Sequence, residues 1–241
     1  MKLENQLYFQ VYGQMEGEQN KTMDSEADAW FFRNKRYLEE RLEVSEGTKR
    51  VLEFLEGQKE PGSWTGKNIL EIGACYGYNL KYLSDRLGTT CYGIEPSAAA
   101  INYGKEKYNG VIHLEQGTSD DLPYESEKFD VVIMGFCMYW VERKYLMRTV
   151  AEADRVLKEN GYLMLIDFDT AMPYKRVNVH NSEVWTYKMQ YVNLFLANPQ
   201  YYLVNKTNYS DISMAFSEDI QERISFNVLY KEKIEDAYVR N

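Results

Sequence analysis

The run Ile69-Leu70-Glu71-Ile72-Gly73-Ala74-Cys75-Tyr76-Gly77-Tyr78-Asn79-Leu80 decides the fold. Residues 68–72 form a short apolar run that ends at Gly73. Leu80, Leu83 and Leu87 then recur at helical spacing until Gly88 stops them. A strand, a glycine-bearing turn and a helix therefore follow one another directly. Such a turn lets a ligand approach the backbone, because glycine puts no side chain in the way. The helix start adds N–H groups and a partial positive charge. Open α/β sheets bind their ligands at this C-terminal edge of the strands.

The same alternation continues downstream. Residues 91–94 read as a second strand ending at Glu95-Pro96, and Ser97 caps a helix over 98–108. Residues 111–114 read as a third strand and 129–134 as a fourth. Leu146, Val150, Ala153, Val156 and Leu157 mark one face of a long helix stopping at Asn160-Gly161, and 162–166 make a fifth strand. Two later runs, 201–204 and 224–230, read as closing strands. Strands separated by helices of this length imply crossover connections and a parallel sheet covered on both faces. The expected fold is α/β: a doubly wound, Rossmann-like, mostly parallel sheet of seven strands. An N-terminal helical extension or lid is expected over 1–62, with the main domain over 63–241. Pro61-Gly62-Ser63 marks the junction. A cap is expected over about 170–200, with a helix at 183–196. Trp30, Phe31 and Phe32 sit in front of the first N-terminal helix, as packing residues or as part of a lid.

Composition bounds the function. The chain has 241 residues, 44% hydrophobic and 27% charged, with a formal net charge of −9. That charge repels nucleic-acid backbones, and no basic cluster offsets it. Nucleic acid is not an expected partner. Cys75, Cys91 and Cys137 lie far apart and the chain has only two histidines, so no structural zinc site is expected. Widely spaced cysteines suit a reducing compartment. The first residues, Met1 to Gln6, show no apolar leader, and no window is apolar enough to span a membrane. A cytoplasmic location is expected, with no membrane partner.

The turn also selects its ligand. A dinucleotide fingerprint needs G-x-G-x-x-G; starting at Gly73, its second and third glycines fall on Cys75 and Tyr78. The spacing that fits is acid-x-Gly-x-x-x-Gly, given by Glu71, Gly73 and Gly77. An acid there is awkward beside a pyrophosphate and suits a cationic ligand such as S-adenosylmethionine. Glu95, at the end of the second strand, stands where a carboxylate can accept two ribose hydroxyls. Gly117 to Tyr124 offers polar groups to an adenine edge.

These motifs together resemble the class I S-adenosylmethionine-dependent methyltransferases, of the type 11/12 kind, over about residues 65–168. The resemblance implies S-adenosylmethionine as cofactor and S-adenosylhomocysteine as product. It implies cofactor contacts from Glu71, Gly73, Ala74, Gly77, Asn79, Glu95, Pro96, Thr118, Ser119, Asp120, Met134, Gly135 and Tyr139. Thr118 stands where the family often has aspartate, which passes the adenine contact to Asp120. Cys75 replaces a usual glycine and must take up an allowed backbone angle. The segment from Gly73 to Leu80, with Gly135-Phe136 and Tyr139-Trp140-Val141, is similar to methylases of bacterial surface-sugar biosynthesis, including those linked to pseudaminic acid.

The acceptor is expected to be a small molecule, such as a sugar or sugar-nucleotide hydroxyl or amine. The loop after the fourth strand lacks the Asn/Asp-Pro-Pro-Tyr/Phe signature of nucleic-acid amino-methylases. Tyr139, His180, Asp167 and Asp169 are the candidates for proton transfer. Each also has a structural reading, as packed aromatic, surface histidine or strand-end carboxylate. Metal is not expected, since the loop after the fourth strand adds no further oxygen ligands. A catalytically silent cofactor-binding protein and an NAD-dependent oxidoreductase are the alternative functions. The oxidoreductase shares the fold and fails on glycine spacing. The sequence is silent on oligomeric state.

Overall fold

The computed structural model describes residues 26–40, 44–58, 62–178, 180–210 and 212–238. Two N-terminal helices come first, α1 (Glu26–Glu40) and α2 (Glu46–Gln58). The alternating part follows: β1 (Asn68–Ile72), α3 (Tyr78–Leu87), β2 (Thr90–Glu95), α4 (Ala98–Tyr108), β3 (His113–Gln116), β4 (Phe129–Gly135), α5 (Leu146–Val156) and β5 (Leu157–Phe168). A hairpin of β6 (Tyr174–Val177) and β7 (Trp185–Lys188), the short α6 (Val192–Leu196), β8 (Tyr201–Tyr209) and β9 (Ile224–Lys231) complete it. The sheet order is β3-β2-β1-β4-β5-β9-β8, with β1 to β5 parallel and β9 antiparallel to both neighbours. This is the expected doubly wound, mostly parallel seven-stranded sheet.

Strand parity decides which side chains reach which layer. Ile69, Val131, Ile133, Met164 and Ile166 point towards α2 and α3, meeting Leu52, Leu55, Leu80 and Leu83. Leu70, Ile72, Val132, Met134, Leu163 and Leu165 point the other way, onto α5 and α6. Both faces are dry, which is why the strands read as unbroken apolar runs. The chain reverses between β1 and β4, and the crevice at that switch point opens above Gly73.

Several boundaries differ from the sequence reading. The helix before β5 ends at Val156, because Leu157 already pairs with Phe129 in the sheet; 158–161 then form an irregularity before Tyr162 meets Val131. The expected helix over 183–196 is instead strand β7 followed by α6, so this part of the cap is a two-stranded hairpin. Alternation at Trp185-Thr186-Tyr187-Lys188 was the signal for it. Trp30, Phe31 and Phe32 lie inside α1 rather than before it. Of the N-terminal extension expected over 1–62, residues 1–25, 41–43 and 59–61 lie outside the described residues. His113 stands exposed on the edge strand, stacked on Tyr92 at 4.7 Å between ring centroids. No described helix is long and apolar enough to cross a membrane.

Helix α4 packs unusually close to the turn before α3. A Cβ placed on Gly104 would overlap the Tyr76 carbonyl oxygen. Backbone cannot yield as a side chain tip can. The Gly104→Ala variant is expected to lose about 1–3 kcal/mol of stability, read by urea denaturation. Unchanged stability would show that α4 can slide away from the turn.

Candidate active site

Backbone angles shape the floor of the crevice. Gly73 and Gly77 sit at φ +80° and +82°, and Cys75 between them at φ +51°. A left-handed non-glycine residue costs ~1–2 kcal/mol. Cys75 is held there by its N–H, which donates to Glu95 Oε2 at 3.0 Å, and by burial against Phe31 and Tyr76. At Gly73 a Cβ would come within 2.8 Å of Cys137 Cβ, so this turn must lie flat against the loop after β4. Gly77 opens α3 with no side-chain cap.

Glu71 ends β1 with 4% of its surface exposed. It points to the α2 side of the sheet. Asn79 Nδ2 donates to its Oε1 at 2.9 Å, and Thr48 Oγ1 on α2 donates to Asn79 Oδ1 at 2.7 Å. Ser45 Oγ accepts from Thr48 N–H at 3.2 Å, capping α2. The second N-terminal helix therefore fixes the orientation of Glu71 through Asn79.

Glu95 ends β2. Its Oε1 accepts from Ser97 N–H at 3.0 Å and its Oε2 from Cys75 N–H. Burial raises its pKa, against the lowering pull of these two N–H groups, and nearby Asp28 adds to the rise. Two carboxylate oxygens offer about four acceptor sites, so the donors already present leave room for hydroxyls. Asp28, on α1 and 5% exposed, accepts from Ser97 Oγ at 2.5 Å and from Ala99 N–H at 3.0 Å. It caps α4 from outside, beside Glu95.

These elements enclose a cavity of about 1690 Å³. Of the expected contacts, Glu71, Gly73, Ala74, Asn79, Glu95, Pro96, Thr118, Ser119, Asp120, Gly135 and Tyr139 line it. Met134 does not. It is fully buried in the layer facing α5, because strand parity sends Ile133 and Gly135, not Met134, to the cavity. Gly77 shapes the turn without lining the cavity. Ser119 Oγ hydrogen-bonds Thr149 Oγ1 at 2.9 Å, and Asp120 faces Arg148 at 3.7 Å.

The proton-transfer candidates separate. Tyr139 lines the cavity, in the 3-10 turn Met138–Trp140, its ring 5.1 Å from that of Trp140. Burial pushes its phenol up, and Asp167 adds to the effect. Asp167 does not line the cavity. It lies behind the turn, 3% exposed, its Oδ2 accepting from Tyr139 N–H at 3.3 Å and its Oδ1 from Phe168 N–H at 2.7 Å. Burial pushes its pKa up to about 7. Asp169 is tied to Lys206 at 2.9 Å and to Asn208, also outside the lining. His180 is exposed and outside it too. Among the described residues, no group of three His, Cys, Asp or Glu side chains could hold a metal ion.

The roof comes from segments that carry no motif. Trp30 and Tyr37 on α1 and Trp185 and Tyr187 on β7 line it, and Asn181 Nδ2 bonds Glu26 Oε2 at 3.0 Å to join the two. Phe31, one residue on from Trp30, packs into the turn cluster with Tyr76 and Tyr103 instead. Trp30 was read as packing or as part of a lid, whereas Asp28, Thr48, Tyr37 and the β7 aromatics were not read from the sequence. Their partners lie 31 to 155 residues away, as Thr48–Asn79 and Glu26–Asn181 show.

Residues 70–165 match the model of the methyltransferase domain family. Over that stretch, less than half of its length, the chain is similar to that family. Phthiotriol/phenolphthiotriol dimycocerosates methyltransferase 1 of Mycobacterium ulcerans (strain Agy99) is 30% identical over 105 residues, 43% of this chain and 38% of the relative. Demethylmenaquinone methyltransferase of Tropheryma whipplei (strain Twist) is 27% identical over 129 residues, 50% of this chain and 53% of the relative. The chain thus spans about two-fifths to half of the length of these relatives. Among solved structures, Burkholderia thailandensis 1,6-didemethyltoxoflavin-N1-methyltransferase, with its ligand and S-adenosylhomocysteine bound, superposes with a TM-score of 0.65 at 10% identity. That match covers 89% of this chain and 94% of the other. A putative methyltransferase of Haloferax volcanii, in complex with its Trm112 activator, gives 0.63 at 17% identity, over 88% and 100%. At such identities the likeness is one of fold.

The domain's cofactor fits the residues present. The methionine end would meet Glu71, Gly73 and Ala74, the ribose Glu95, and the adenine the 117–120 loop. When bound, it supplies an electrophilic methyl group on a sulfonium.

Removing the Asp28 carboxylate leaves the Ser97 hydroxyl and Ala99 N–H without this acceptor. The Asp28→Ala variant is expected to lose about 1–3 kcal/mol of stability and to bind S-adenosylhomocysteine more weakly, measured by calorimetry. Wild-type affinity would show that Ser97 holds Glu95 without help from α1. Asp167 should mark the pH profile. An acid whose folded pKa is raised binds more protons folded than unfolded, so stability falls as pH rises from about 4 to about 7 and is then level. Urea titrations at pH 5 and pH 8 should differ by on the order of 1–4 kcal/mol, and Asp167→Asn should remove most of that difference. An unchanged slope in the variant would assign it to another group.

Proposed function

We propose that the protein transfers the methyl group of S-adenosylmethionine to a small-molecule acceptor bound in the same cavity. The observation that carries this is the size and lining of that cavity. Ligand pockets usually measure ~300–1,000 Å³. At about 1690 Å³ this one has room for a cofactor on the Glu71, Gly73 and Glu95 side and a second molecule under the aromatic roof. Transfer of this kind asks mainly for alignment of acceptor, methyl and leaving sulfur, which two ligands side by side in one cleft can provide.

The names of the relatives span dimycocerosate, menaquinone and toxoflavin precursors, so they support the reaction class without choosing an acceptor. A sugar remains compatible with the cavity; a sugar nucleotide is disfavoured, since Lys49 is the sole cationic side chain among the described lining residues. The oxidoreductase reading has no support in the turn, where Glu71 and Cys75 stand in place of dinucleotide glycine chemistry.

A thermal-shift titration with S-adenosylmethionine, S-adenosylhomocysteine and NADH in parallel tests the reading. At 100 times its dissociation constant a ligand adds about 2.7 kcal/mol to stability. A rise in Tm with the first two alone is expected, and Glu71→Ala should weaken their binding at least ~10-fold, about 1.4 kcal/mol. A rise with NADH alone would overturn the cofactor assignment. Binding without any turnover across acceptors would favour the catalytically silent alternative.

A further inference from the structure

Four of the large apolar side chains that stay exposed, Tyr37, Trp185, Ile212 and Met214, line this cavity. Apolar surface gathered at a ligand cleft points to what the cleft takes up. Lys175 already stands over the Trp185 ring at 4.2 Å. Ile212 and Met214 carry no such cover. They lie on the connection between β8 and β9, 66% and 49% exposed, and neither belongs to a buried core cluster.

That connection is a closed turn. Fully buried Ser210 holds it at three points: its N–H donates to the Ala215 carbonyl at 2.9 Å, its carbonyl accepts from Met214 N–H at 2.8 Å, and its Oγ accepts from Ile212 N–H at 3.1 Å. Met214 takes φ +55°, a region that long side chains seldom adopt. Such a conformation persists only where its surroundings hold it. Here hydrogen bonds of the backbone, rather than burial, keep two apolar side chains in the cavity wall.

The charges around the cavity are mostly spent. Glu46 pairs with Arg50 at 2.8 Å, and Arg50 also covers Tyr209, the last residue of β8, at 4.6 Å. Glu26 pairs with Arg33 at 2.6 Å and Glu142 with Lys144 at 3.0 Å, while Glu183 is exposed on the hairpin segment. Through Arg50 the start of α2 stands beside the turn, and Val44, just before that helix, adds a further apolar side chain to the lining. An ionic acceptor meets carboxylates that are already matched. An apolar one ends the contact of Ile212 and Met214 with water, which is favourable in proportion to the area covered.

Resting on the cofactor reading above, we propose that Ile212 and Met214 select an uncharged acceptor with an apolar portion of several carbons. That portion lies against the two side chains and holds the reactive end beside the cofactor. Both residues are specificity-determining: they touch the part of the acceptor that does not react. Binding energy gathered on a remote part of a substrate serves to align the reacting part.

The test uses the full chain with saturating S-adenosylhomocysteine. Calorimetry follows titration with 4-ethylphenol, 4-butylphenol and 4-hexylphenol, all uncharged at pH 7, and with glucose. Affinity is expected to rise about 2–4-fold for each added methylene, so at least ~10-fold from the ethyl to the hexyl compound, with no saturable heat from glucose. Ile212→Ser combined with Met214→Ser should cut that gain several-fold, and Ile212→Val combined with Met214→Leu should keep it. Affinity for S-adenosylhomocysteine should be the same in both. Each side chain is exposed, so Met214→Ser alone gives the same readout should the double variant not fold. Equal affinity along the phenol series, tighter binding of glucose than of 4-hexylphenol, or an undiminished gain in the serine variants each overturns the proposal. If S-adenosylhomocysteine itself fails to bind, the cofactor reading falls and this proposal falls with it. If it binds and the gain with chain length is missing, only the apolar selection is lost.

Discussion

A buried carboxylate at the end of a central strand is the condition on which this site rests. Glu71 is 4% exposed at the C-terminal edge of β1, between β2 and β4. A charge there costs free energy unless polar partners and a counter-charge meet it. Asn79 supplies one hydrogen bond and Thr48 steadies Asn79. The left-handed turn beside it is tied to the neighbouring strand, the Gly73 and Ala74 N–H groups donating to the Ile94 carbonyl at 2.9 and 3.1 Å.

The N-terminal helices are structural parts of this arrangement. Helix α2 contributes Val51, Leu52 and Leu55 to the sheet's core and Thr48 to the Glu71 relay. Helix α1 contributes Asp28 to the α4 cap, Phe31 to the turn cluster and Trp30 to the cavity roof. Helix α2 thus steadies Glu71 through Asn79, and helix α1 steadies Glu95 through Ser97. The ribose end and the roof are mechanically linked through α1, and the roof's second half is joined to it at Glu26 and Asn181.

The turn after β4 divides the two halves of the cavity. Its backbone is held from below by Asp167 and from the side by Arg143, and the Tyr139 and Trp140 side chains hydrogen-bond one another. Rigid rings at that boundary suit a reaction that depends on alignment more than on proton transfer. A carboxylate placed behind the turn therefore does more as an anchor than it would as a base.

The fold was legible in the sequence because its signals are local, and the same signals placed the candidate cofactor residues at one sheet edge. Strand, glycine turn and helix follow within one run, and Glu71, Gly73 and Glu95 hold positions that covalent spacing alone sets relative to the strands. Parity was the limit of that reading: Met134 was expected at the cavity, and the two-residue alternation of β4 turned it to the opposite layer. Asp167 and Asp169 stood at the right edge of the sheet, but only packing shows that one anchors a turn and the other meets Lys206. The acceptor half was decided by tertiary structure alone. Trp30, Trp140 and Trp185 have no common spacing, and their rings converge because α1, the β4 turn and β7 fold over one crevice. Local chemistry thus set where a cofactor can bind, and long-range packing set what can lie beside it.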